Sequence, residues 1–163
     1  MADHVVMVVE IPRGSRNKYE VDHETGEIFL DRTLFTATRY PADYGYIPDT
    51  LADDGDPLDI LCLTTDPTFP TCRIRVRPVA VLRLEDQGEI DDKVISVPAG
   101  DPRHDAVQDV GDLEEHFRKE LEHFFLVYSE LEKEAVTSFG WEGRDLAMQL
   151  IEDARAAFEA SRP

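Results

Sequence analysis

Between residues 4 and 97 the apolar positions fall in short runs or alternate with polar ones, which is the period of strands. Residues 4–11 are Val-rich and predict a strand stopped by Pro12. Glu10 interrupts that apolar run and needs a reason to be there. Residues 18–22 alternate, with Lys18, Glu20 and Asp22 on one face and Tyr19 and Val21 on the other. A turn at 23–26 and a returning strand at 27–32, with Ile28 and Leu30 on one face, complete a hairpin. Residues 33–49 hold Pro41, Gly45, Pro48 and three tyrosines and predict a fixed irregular segment. Further strands are expected at 60–63, 73–84 and 93–97, with a bulge or bend at Pro78 because proline cannot donate to a ladder. Loops are expected at 64–71 and 85–92, with a turn at 100–103.

Beyond these the period changes. Leu113, Phe117, Leu121, Phe124, Phe125 and Tyr128 recur at helical steps, and Asp112 or Gly111 can cap the start. Gly140 separates this helix from a second, marked by Leu146, Leu150, Ile151, Ala154, Ala157 and Phe158. About six strands followed by two helices predict one α+β domain over residues 1–163, its helices packed on a closed or nearly closed small barrel.

Composition narrows the chemistry. With 17 basic against 35 acidic residues the net charge is −18, which argues against a nucleic-acid surface. No stretch is long and apolar enough to span a bilayer. Met1-Ala2-Asp3-His4 lacks the basic start of a signal peptide, so a cytoplasmic protein is expected. The two cysteines, Cys62 and Cys72, fit neither a metal-type spacing nor a disulfide framework, and Cys62 reads as a core thiol.

The most informative stretch is Asp53-Asp54-Gly55-Asp56-Pro57-Leu58-Asp59, four carboxylates within seven residues. Acids so crowded ionise at neutral pH most readily with positive charge among them. Hard cations such as Mg2+ prefer oxygen ligands and keep several waters, which suits such a loop, while a solvated acidic turn fits the same residues. The glycine spacing of an EF-hand is missing. A second acidic loop carries Asp86 and Asp91. Lys18, Arg32 and Lys93 sit singly among these elements, and Tyr40, Tyr44 and Tyr128 lie near their ends. Acids for metals, cations for phosphate oxygens and phenols as donors describe metal-assisted phosphoryl transfer. An ion-sequestering barrel would explain the acids but not the three cations.

Glu10-Ile11-Pro12, Lys18-Tyr19-Glu20, Asp31-Arg32, Tyr40-Pro41-x-x-Tyr44-Gly45-Tyr46 and Asp54-Gly55-Asp56-Pro57-Leu58-Asp59 resemble, in order, the soluble family I inorganic pyrophosphatases over roughly residues 5–141. The resemblance implies a five-stranded OB-like β-barrel flanked by two C-terminal helices. It implies hydrolysis of inorganic pyrophosphate to two phosphates with Mg2+, and a homo-hexamer of the bacterial type. By motif, Asp54, Asp59, Asp86 and Asp91 resemble metal ligands, with Glu10 and Glu20 as outer carboxylates acting largely through water. Asp56 resembles the base for the attacking water, Tyr44 a hydrogen-bonding wall beside it, and Tyr40 a more distant support. Lys18, Arg32, Lys93 and Tyr128 resemble phosphate ligands. Where the family commonly has lysine after this tyrosine, the chain has Ser129, and of the lysines that follow it keeps only Lys133. His123 matches a position at bacterial subunit contacts. His23 lies between the strands of Glu20 and Arg32 and reads as an exposed turn residue, and His4, His104 and His116 as surface residues.

Overall fold

The computed structural model describes residues 5–163, so the expectations for His4 and the first residues lie outside it. Among the described residues are nine strands and two α-helices: β1 (Val5–Ile11), β2 (Asn17–Val21), β3 (Ile28–Thr33), β4 (Asp43–Tyr46), β5 (Asp59–Cys62), β6 (Arg73–Asp86), β7 (Glu89–Ile90), β8 (Lys93–Pro98), α1 (Glu115–Val127), β9 (Val136–Gly143) and α2 (Arg144–Ser161).

Strands β1, β4, β5, β8 and β6 pair in that order, and β6 returns to β1, closing a five-stranded barrel. Every pairing in the ring is antiparallel except β5 with β8. The 14-residue β6 spans the barrel, pairing first with β1, then β8, and at its far end with β7 and β9. It changes register between Pro78 and Ala80, as expected from the proline. The β2–β3 hairpin forms a separate two-stranded sheet.

Alternate strand residues feed two cores. Leu61, Leu82 and Ile95 gather with Leu121, Phe124 and Phe125 of α1. Ile60, Val81 and Val94 gather with Ala147, Ile151 and Ala154 of α2. This is the division that period-2 strands and period-3.6 helices dictate. Cys62 is buried in the α2 core, as expected.

The structure differs from the sequence pattern in several places. The segment expected to be irregular contains β4, which sits between β1 and β5. Gly45 is required there, since a Cβ at that position would lie 1.9 Å from the Val8 carbonyl oxygen. Residues between the helices form β9, which pairs with β6 with Phe139 as the extra residue of a bulge. The second acidic loop is a tight hairpin, Asp86 opposite Glu89. Asp112 does not cap α1; it closes a capping box with Asp109 around a 3-10 turn at Val110–Asp112, and Glu114 precedes the helix with no side-chain cap. Ile28 and Leu30, expected to share a face, are exposed at 40% and 55%, so the hairpin meets the core through Tyr19 of β2 and not through β3.

Candidate active site

The site lies where the β2–β3 hairpin, the 53–59 turn, β8 and the end of α1 meet. Glu10 reaches it through a bulge. Pairing of β1 with β4 slips between Val9 and Ile11, leaving Glu10 as the extra residue. A bulge re-aims a side chain locally, and the Glu10 carboxylate accepts the Val21 N–H at 2.9 Å. This accounts for an acid within an apolar run. A second bulge lies in the hairpin: Lys18 faces Arg32 and Tyr19 faces Leu30, so Asp31 is extra. Its carboxylate lies 3.4 Å from Lys18 Nζ and also pairs with Arg32.

The acidic turn is held from within. Ala52 N–H donates to Asp56 O (2.8 Å), Gly55 N–H to Ala52 O (3.0 Å) and Asp56 N–H to an Asp54 carboxylate oxygen (3.0 Å). Gly55 sits at φ +89°, a conformation glycine adopts without strain. The turn therefore presents the Asp56 carboxylate without drawing on it for any of these bonds.

At the centre of the site is Lys93, 3% exposed. Its Nζ donates to Asp59 at 2.6 Å, to Asp91 at 3.0 Å and to the Tyr44 hydroxyl at 3.1 Å. It also lies 5.3 Å from the ring centres of Tyr44 and Phe125. Burial pulls this ammonium down, but Asp59, Tyr44 and Asp91 outweigh burial and hold it well above the usual lysine range. Burial lifts Asp59 to about 6 against the pull of Lys93. Glu10 is lifted to about 7, again by burial, although the Val21 N–H opposes it. Asp54 and Asp86 are raised, chiefly by burial. Burial raises Tyr44 well above the usual phenol value and Tyr128 to about 12, so both remain neutral donors at physiological pH.

Of the twelve expected site residues, all but Arg32 and Asp86 line one cleft of about 650 Å³. Asp86 faces an adjoining cavity of about 310 Å³ with Asp54 and Asp91. Arg32 is turned to Asp31 and to Glu132, whose carboxylate lies 2.6 Å from its Nε. Tyr40 is buried behind the cleft, 4.7 Å from the Phe124 ring and 5.4 Å from Tyr44. Neither Ser129 nor Lys133 lines the cleft. Ser129 is 1% exposed, its hydroxyl without a hydrogen-bond partner among the described residues, and Lys133 is exposed.

Asp31 and Glu132 join the site without having been expected as site residues. Asp31 has a signal, since it precedes Arg32 in a strand opposite Lys18; Glu132 has none. His23 is exposed but lines the cleft, its ring edge-on to Tyr46 at 4.7 Å. Tyr46 lines the cleft as well.

Among the described residues no three His, Cys, Asp or Glu side chains converge closely enough to hold an ion as they stand. The donor set nevertheless fits a hard divalent cation. The acids around the cleft offer only oxygen, and burial, which raises their proton affinities, leaves their charged forms in need of a cation.

Known proteins share this arrangement. Residues 7–159 match the family model described as inorganic pyrophosphatase, so the likeness runs through α2 and past the expected limit near residue 141. A curated inorganic pyrophosphatase of Leifsonia xyli is 53% identical over 155 residues, covering 94% of this chain and 95% of that protein. One from Streptomyces coelicolor is 49% identical over 154 residues, covering 94% of each. The crystal structure of inorganic pyrophosphatase from Thermus thermophilus superposes with a TM-score of 0.93 at 46% identity, covering 96% of this chain and 92% of that one. With the closed five-stranded barrel, the acidic turn and the buried lysine all in place, the chain belongs to the inorganic pyrophosphatase family.

Proposed function

We propose that the protein hydrolyses inorganic pyrophosphate to two phosphates, and that the metal it depends on is Mg2+. The carrying observation is the cleft itself: the Asp54–Asp59 turn faces Lys18, Lys93 and Tyr128 across one space. Asp54, Asp59, Asp86 and Asp91 would hold the metal, with Glu10 and Glu20 reaching it through water. Bound metal supplies charge neutralisation and a more acidic water. Asp56 orients the attacking water and takes its proton as the oxygen bonds to phosphorus. The bridging P–O bond breaks, and its electron pair leaves with the second phosphate. Lys18, Lys93 and the Tyr128 hydroxyl receive that developing charge. Tyr44, kept neutral, walls the water side and steadies Lys93. Arg32 completes the phosphate contacts from the rim.

Activity should vanish in EDTA and return with Mg2+. Metal competes with protons for these acids, and Glu10 and Asp59 are raised to about 7 and about 6. Lowering pH therefore protonates ligands and weakens metal binding. The Mg2+ concentration for half-maximal activity should rise steeply from pH 8 to pH 6. Full activity in rigorously metal-free protein would overturn the proposal, and a pH-independent Mg2+ requirement would remove Glu10 and Asp59 from the ligand set.

A cytoplasmic location agrees with two unpaired cysteines, and no helix among the described residues is long and apolar enough to cross a membrane. A homo-hexamer is proposed from the family likeness. Phe124 and Phe125 face the core, while His123 and Leu126 of α1 are exposed. Sedimentation at micromolar concentration should give six-fold the monomer mass, and a monomer would refute it.

A further inference from the structure

The two cations opposite one another in the hairpin are held differently. Lys18 lines the cleft and, among the described residues, its ammonium pairs with Asp31 alone. Arg32 is pinned between two carboxylates: its Nη1 donates to Asp31, and its Nε lies 2.6 Å from a Glu132 oxygen in an ion pair not aligned as a hydrogen bond. A guanidinium carries five N–H groups in a rigid fork. Among the described residues, no hydrogen bond or ion pair engages Nη2, so one edge of the fork stays open. Glu132 is well placed to act as a fixed point. Its side chain is 11% exposed, and it ends a 3-10 turn, Glu130–Glu132, that follows α1 at once. The Glu132 N–H donates to Ser129 O at 3.0 Å, and Ser129 is fully packed. The same turn of chain carries Tyr128, which lines the cleft. A movement of this segment therefore shifts Tyr128 and the anchor of Arg32 together.

We propose that Glu132 is a positioning residue for phosphate recognition: its charge, close against the Nε side of Arg32, holds the guanidinium so that the open Nη2 edge is presented to a phosphate oxygen. The inference rests on the pyrophosphate reading. Without Glu132 the guanidinium keeps its charge but loses its aim, and Asp31 alone draws it along the hairpin. Orientation of a bidentate donor is what gives arginine its grip on phosphate. The effect should therefore fall on binding of substrate and product more than on the bond-breaking step.

The test combines pyrophosphate kinetics and calorimetric titration with inorganic phosphate, both at fixed free Mg2+. Glu132→Ala should raise the KM for pyrophosphate and the Kd for phosphate ~fivefold or more, with kcat within about twofold. Glu132→Gln, which keeps the side chain's volume but removes the charge that holds the guanidinium, should lose nearly as much. In an Arg32→Ala background Glu132→Ala should add nothing. Tighter phosphate binding in Glu132→Ala would show that the carboxylate competes with phosphate and would overturn the proposal. So would unchanged KM and Kd, or losses that add in the double variant. If Glu132→Ala fails to fold, the Gln variant and the Arg32 cycle built on it distinguish the same outcomes. A wild-type protein inert toward pyrophosphate would defeat the functional reading, while the phosphate titration would still test Glu132.

Discussion

Asp56→Asn should lower turnover about 10²–10⁴-fold while leaving the fold and the pyrophosphate KM close to those of the parent. The structure isolates this side chain well. The Ala52–Asp56 turn is closed by main-chain bonds and by the Asp54 carboxylate, none of which uses the Asp56 side chain. The residue is exposed and lines the cleft. An amide of the same shape therefore preserves the turn, and it removes the one property the mechanism asks of the residue, a basic oxygen for the water's proton. Steady-state kinetics at saturating Mg2+, set beside a melting curve, separates the cases. Near-normal turnover would assign the proton to another group. A loss matched by a collapse in melting temperature would make Asp56 a structural residue.

Much of this is legible in the sequence because the signals are local. The acidic heptapeptide, the Val-rich strands, the break at Pro78 and the two helical periods each occupy one window, and each stands where it is expected. What the sequence conceals depends on distant partners. Strand β4 reads as irregular chain because Asp43 and Gly45 are poor strand residues. Yet Asp43 is fully buried, satisfied by the Arg13 and Thr68 N–H groups, and Gly45 is demanded by the neighbouring strand. Strand β9 contains two glycines and an exposed Phe139, and only pairing with the far end of β6 makes it a strand.

The site follows the same rule. Motif spacing places ten of its residues on one cleft. Glu10 is conspicuous as an acid in an apolar run, and the bulge that turns it inward is visible only once β4 is known to be its partner. Arg32, expected among the phosphate ligands, lies outside the cleft lining and is paired with Glu132, far away in the chain. No hydrophobic period or turn chemistry could reveal that ion pair.

Replacing Lys93 by methionine should do damage of two kinds that metal can partly separate. Methionine matches the length of lysine and keeps contact with Phe125, so packing is largely retained. The charge is not. Asp59 and Asp91 lose an ammonium at 2.6 and 3.0 Å in a site where that ammonium is 3% exposed. Removing one partner of a buried pair typically costs about 3–5 kcal/mol, because the remaining charge is left uncompensated. The sign with pH follows from Asp59. Its carboxyl, already raised to about 6 with Lys93 present, must rise further without it. A carboxyl raised in the folded state stabilises fully below its unfolded value near 4, and loses that contribution as pH climbs through the folded value. The metal-free variant should therefore melt closest to the parent at pH 5 and fall furthest behind at pH 8. Mg2+ should recover part of the deficit at pH 8, since cation charge among the same acids does what the ammonium did. Turnover should still drop about 10²–10³-fold with metal present, because a donor for the departing phosphate is gone. Melting curves at both pH values, with and without Mg2+, provide the check. Equal destabilisation at pH 5 and pH 8 would show that Lys93 acts by packing, and that its charge does not hold the two acids together.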